Sequence, residues 1–139
     1  MMTHRLIFRC AAFVGLVFGV MLMFTPDALL AAYGGAESLN HVGRYMAMLF
    51  GAAVTGFAVM NWAASSAPDI VEIHYVLIGN LVTFTLGFVI ALYRQLMGDS
   101  VPDTAWFNVA INLAFAGLFF YLYMSSPAGY RLHSTSRHA

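Results

Sequence analysis

Lysine is absent from this chain of 139 residues, cysteine occurs once, and only 9% of positions are charged. Each scarcity removes a class of function. Six arginines are balanced by six acids to a formal net charge of zero. No basic surface exists to attract a polyanion, so nucleic acid is excluded as a partner. A single cysteine, Cys10, excludes an intrachain disulfide, a CxxC redox pair and a cysteine-rich zinc site. Its expected role is that of a small buried hydrophobe.

Chemistry-bearing patterns are equally scarce. No HExxH pair, nucleophile–base pairing or glycine-rich phosphate loop is present. His41 and His74 fall at opposite ends of the apolar runs, so they do not form the facing pair that a transmembrane haem requires. No acid lies well inside an apolar run, where a proton-coupled exporter usually carries one. The sequence therefore offers no catalytic residue, no metal site and no cofactor.

Apolar sequence is what remains, with 61% hydrophobic residues and a mean hydropathy of +0.78. It is divided into four runs, residues 6–24, 43–63, 70–93 and 105–123. A hydrocarbon core of ~30 Å needs about 20 apolar residues per helical crossing, and each run comes close to that length. The expected fold is all-α, a four-transmembrane-helix up-down bundle over residues 1–125, with a polar cytoplasmic tail at 126–139. Short linkers at 64–69 and 95–104 make consecutive helices antiparallel neighbours. The first run is read as a retained helix and not a cleaved signal, because Thr25-Pro26-Asp27 closes it before any small-x-small pattern.

Arginine placement sets the expected orientation. Arg5, Arg9, Arg131 and Arg137 belong to the two chain ends, against Arg44 and Arg94 at the first and third connections. Four against two place both termini in the cytoplasm. Three Pro-Asp pairs, Pro26-Asp27, Pro68-Asp69 and Pro102-Asp103, read as helix starts. Ser66–Asp69 and Ser100–Asp103 resemble capping boxes. Residues 27–33 form a candidate short helix at the interface, stopped by Gly34-Gly35, with the position of a lid.

Small residues mark the expected helix contacts, since in lipid they let backbones approach. Gly15 and Gly19 lie on the first helix, Gly43, Ala47 and Gly51 on the second, and Ala110 and Ala114 on the fourth. Gly79, Thr83, Gly87 and Ala91 form the most regular stripe, which places the third helix either in the bundle interior, the favoured position, or at a dimer seam. Polar residues inside the runs are the candidate ligand-binding set: Arg44, Asn80, Asn108 and Asn112, with Thr55, Thr83 or Thr85 nearby. The ordinary role of such asparagines is interhelical hydrogen bonding.

The stretch Arg44-Tyr45-Met46-Ala47-Met48-Leu49-Phe50-Gly51-Ala52-Ala53 opens a helix rich in small residues. It follows an arginine-led first helix, a closing proline and a glycine-containing loop. This layout resembles the small four-helix DoxX-like and related uncharacterised bacterial membrane proteins. The resemblance implies a four-helix fold in a bacterial inner membrane. Quinol-linked activities known for some members find no matching residue set here. The expected function is that of a non-catalytic accessory, scaffolding or assembly subunit of a membrane complex. The alternative is a protein that binds or transports an apolar small molecule such as a quinone or lipid. The expected partners are membrane lipids, together with a membrane-protein partner or further copies of this chain.

Overall fold

The computed structural model describes residues 2–33, 40–97 and 102–126. Its elements are α1 (Met2–Phe24), a short α2 (Pro26–Ala31), α3 (His41–Ala64), α4 (His74–Met97) and α5 (Trp106–Ser125), the last preceded by a 3-10 turn, Asp103–Ala105. No strand occurs among the described residues. Four helices, Thr3–Phe24, His41–Ala64, His74–Met97 and the turn with α5, Asp103–Ser125, are long and apolar enough to cross a membrane. Gly34, Gly35, Glu37, Asp99, Ser100, Val101 and the tail with Arg131, His133, Arg137 and His138 lie outside the described residues.

Local chemistry explains most helix limits. Pro26 occupies the first turn of α2, where its missing N–H is not needed, and the Thr25 hydroxyl donates to the Met21 carbonyl as α1 ends. Asn40 caps α3, its side-chain oxygen accepting from the Gly43 N–H at 2.8 Å. Pro102 leads into the 3-10 turn before α5. The Pro68-Asp69 pair does not start a helix. The Asp69 carboxylate accepts from the Val71 N–H at 3.3 Å, forming an aspartate turn, and α4 begins only at His74. Ser126, assigned by sequence to the tail, is buried and donates its hydroxyl to the Leu122 carbonyl at 3.0 Å.

The transmembrane helices pair into two hairpins, α1 with α3 and α4 with α5. Gly19 and Gly51 set the first seam. A Cβ on Gly19 would lie 2.8 Å from the Thr55 nitrogen, and one on Gly51 would lie 2.8 Å from the Gly19 carbonyl oxygen. Real side-chain carbons do not come that close, so the two backbones meet at a separation only glycine permits. Gly15 continues the seam against Ala58 at 3.3 Å. In the second hairpin Gly87 lies against the Asn112 side chain, 3.0 Å from its amide carbon to a would-be Cβ.

The end of the bundle where α1 begins and α5 ends is here termed the base, and the opposite end, with α2, the rim. The hairpins join at the base. Ile7, Phe8, Ala11, Ala64, Ile73, Leu77, Phe115, Phe119 and Leu122 form one buried cluster there. Phe8 meets Phe119 edge-on at 5.2 Å, and Phe84 stacks on Phe115 at 4.9 Å. Towards the rim α1 and α5 part, leaving a cleft that α2 roofs.

The placement of α4 corrects the sequence expectation. It packs on α5 and touches α3 sparsely, so it lies at the side of the bundle and not in its interior. Of its small-residue stripe only Gly87 makes a close approach. A Cβ on Gly79 would meet nothing within 4 Å, and Thr83 is exposed. Ala110 and Ala114 of α5 are exposed as well. Cys10 also departs from expectation, being exposed on α1 and not buried.

Candidate functional site: an apolar cleft beneath a short helix

One side of α1 is small and the other bulky. Gly15 and Gly19 face α3, whereas Phe13, Val17 and Met21, spaced i, i+4, i+8, project to the opposite side. That bulky side, with Val14 and Phe18, forms one wall of the cleft. Thr104, Phe107 and Ile111 of the α5 segment form the other wall, and Leu29, Ala32 and Tyr33 form the roof. The cleft is an open groove of about 560 Å³ and its lining is almost wholly apolar. That volume falls within the range of ~300–1,000 Å³ usual for small-molecule sites.

The roof is held on both flanks. Asp27 at the start of α2 accepts from Arg44 of α3, at 3.0 Å from Nη2 and 3.2 Å from Nε. On the other side the Thr104 hydroxyl donates to the Ala32 carbonyl. Beneath, Leu29 is buried and Tyr33 sits against Phe18 with ring centroids 6.3 Å apart. Burial pushes the Tyr33 phenol above its ordinary value of 10.0, so it is neutral at physiological pH.

The four sequence candidates do not form one site. Arg44 is at the rim, engaged with Asp27. Asn80 is near the base and fully engaged: it exchanges side-chain hydrogen bonds with Asn61 and donates to the Val76 carbonyl at 2.8 Å. Asn112 bonds within α5, donating to the Asn108 carbonyl at 2.8 Å and to its side-chain oxygen at 3.0 Å, and faces Gly87 of α4. None of the three asparagines lines the cleft. Thr55 donates to the Gly51 carbonyl inside the α1–α3 seam, while Thr83 and Thr85 are exposed. These polar groups do not come together in one place: Arg44 ties the roof to α3, Asn80 joins α4 to α3, and Asn108 and Asn112 bond to each other within α5.

Sequence reasoning identified the roof but not the cavity under it. The signal was the bulky i, i+4, i+8 stripe opposite the GxxxG stripe on the same helix. Asn61, the partner of Asn80, was also missed, since one asparagine near a helix end looks like any interfacial residue.

A smaller hollow of about 260 Å³ lies at the base, lined by Thr3, His4, Asp69, Tyr121 and Ser125 among others. His4 is buried with Nε2 3.4 Å from the Ala67 carbonyl oxygen. His74 is buried nearby, stacked on Tyr123, and its Nδ1 has no hydrogen-bond partner among the described residues. Arg9 lies over the Trp62 ring at 5.9 Å, a cation–π contact that joins α1 and α3. No group of three potential metal ligands occurs among the described residues. No protein-family model matches this chain, and no match is found among curated proteins or among solved structures.

Proposed function

We propose that this protein binds an apolar small molecule of the membrane, a lipid or quinone, holding its tail in the cleft between α1 and α5 beneath α2. The cleft itself carries the reading: a preformed apolar space of about 560 Å³, walled by aromatic and aliphatic side chains and closed at one end by a tethered roof. Lipid tails are as apolar as leucine, so the hydrophobic effect gives no net pull into such a site. Retention comes instead from dispersion contacts with walls already in place, made by Phe13, Phe18, Tyr33 and Phe107.

The membrane is proposed to be a bacterial inner membrane with the base on the cytoplasmic side. Arg5 and Arg9 lie at the base and Arg44 and Arg94 towards the rim, and Arg131 and Arg137 tip the balance to the base. The layout resemblance to DoxX-like proteins supports the same placement.

The binding reading is tested by stripping and adding back. Purified protein depleted of small molecules should gain stability when a total membrane lipid extract is restored. A ligand at 100 times its Kd adds about 2.7 kcal/mol. Val17→Trp, which projects an indole into the cleft and narrows it, should reduce the gain. Equal gains in both proteins would defeat the proposal.

A second reading, the accessory or scaffolding subunit, is favoured by α4. Gly79 is open and Thr83 exposed on its outer side, a surface to which another helix can come close. Gly79→Leu separates the two readings, because it removes such a contact and leaves the cleft untouched.

A further inference from the structure

We infer that the two hairpins pivot about the base, and that the hydrogen bond from Thr104 to Ala32 latches the rim. The pivot stands on the helix contacts alone; its use as a gate to the cleft rests on the binding reading above.

Each hairpin is stiff. In the first, the α1 and α3 backbones meet at Gly19 and Gly51, where no Cβ fits, and Arg9 of α1 covers the Trp62 ring of α3. The roof belongs to the same half, since α2 follows α1 directly and Asp27 is paired with Arg44 of α3. In the second, Gly87 lies against Asn112, and Phe84 of α4 stacks on both Phe115 and Phe119 of α5. Helices packed this closely move as one body.

Between the hairpins, contacts gather at the base. The covalent link, residues 65–73, is there. So are the Asn61–Asn80 pair and the edge-on contact of Phe8 with Phe119. From the first hairpin the buried cluster draws Ile7, Phe8, Ala11 and Ala64, at the start of α1 and the end of α3. Beyond Ala11, α1 meets α3 on one side and the cleft on the other. At the rim a single hydrogen bond among the described residues crosses from hairpin to hairpin, Thr104 to Ala32, and no ion pair or ring pair does.

Lipid gives this asymmetry a mechanical consequence. A lipid tail replaces an apolar neighbouring helix with an equally apolar contact, so parting the rim forfeits no hydrophobic burial. What is given up is one hydrogen bond and some dispersion contact. Two rigid bodies joined at one end by a short linker form a hinge. From Ala11 to Phe24 α1 rises about 20 Å, so a rotation of about 15° at the base, a familiar size for rigid-body motion, carries the rim outward by about 5 Å.

Distances between spin labels in phosphatidylcholine nanodiscs test this. In a Cys10→Ala background, Tyr45→Cys with Tyr93→Cys reports the rim, and Leu6→Cys with Phe120→Cys the base; all four positions are exposed. Wild type should show a main rim distance and a minor one about 5 Å longer, with a single base distance. Thr104→Val, which keeps the shape of threonine without its donor, should raise the minor population about five-fold. Thr104→Ser, which keeps the hydroxyl, should leave it as in wild type. A rim distribution unchanged by Thr104→Val overturns the latch. Rim and base distances that broaden together overturn the pivot, because they report loosened helices and not the rotation of rigid halves. Pivoting in a protein that restored lipid does not stabilise would leave the hinge standing and defeat the binding reading alone.

Discussion

Asn61 and Asn80 exchange side-chain amide hydrogen bonds across the seam between α3 and α4, at 3.0 and 2.7 Å, with both residues buried. One belongs to each hairpin, so the pair fastens the hairpins to each other near the base. In hydrocarbon an amide without a partner is costly, and two amides facing each other satisfy donor and acceptor together.

Asn80→Leu should therefore destabilise the fold by about 1–2 kcal/mol, because it leaves the Asn61 amide buried and unpaired. Adding Asn61→Leu should recover part of the loss. A double-mutant cycle of reversible unfolding in mixed micelles reads the coupling. Purely additive effects would show that the pair is not the fastening described.

The glycines divide into contacts and bystanders. Gly19→Leu and Gly51→Leu should each cost on the order of 1–3 kcal/mol or abolish expression, because each puts carbon where the backbone of the facing helix already lies, whereas Gly87→Leu meets only the Asn112 side chain, which can turn aside, and should cost less. Gly79→Leu, facing open space, should be near neutral for stability. Melting curves of the four variants in one detergent provide the comparison. A neutral Gly19→Leu or Gly51→Leu would remove the close α1–α3 seam from the account.

The Arg44–Asp27 pair is about half exposed on both sides, so its direct worth to stability is small, under about 1 kcal/mol. Its effect should appear in the roof. Asp27→Asn should raise hydrogen exchange across residues 26–33 several-fold with little change in Tm, and a charge swap, Asp27→Arg with Arg44→Asp, should restore protection. Exchange unaltered by Asp27→Asn would mean that Thr104 and Leu29 hold α2 alone.

Tyr33 gives the same roof a pH limit. Its phenol titrates above 10.0 because burial disfavours the charged form. The contribution of the packed, neutral ring is thus fully present below pH 10 and declines as pH rises through its raised value. After correction for intrinsic rates, roof protection should show no Tyr33-dependent change between pH 6 and 9, and Tyr33→Phe should remove any loss seen at more alkaline pH.

Architecture was more legible than site. Hydropathy and length locate four crossings because the bilayer imposes them on any sequence. Helix limits failed at Pro68-Asp69, where an aspartate turn competed with capping and displaced the start of α4 to His74. The pairing of Gly15 and Gly19 with α3 follows from a GxxxG stripe, yet the similar stripe on α4 makes only one close contact, at Gly87. Small residues show where approach is permitted and not where it happens. Nearly every face of these helices is apolar, so periodicity does not fix rotation. For the same reason Asn112 reads as a binding residue in sequence and lies on the α4 side in space. The cleft is an empty volume between two distant segments, and no local pattern encodes its depth.

The most direct test of the central claim is native mass spectrometry of the protein released gently from its own membrane, wild type beside Val17→Trp. The account expects one lipid- or quinone-sized adduct per chain on the wild type, and a Val17→Trp chain that carries much less of it. A wild-type chain without an adduct, carrying instead a stoichiometric protein partner, would contradict the binding function and establish the accessory-subunit reading in its place.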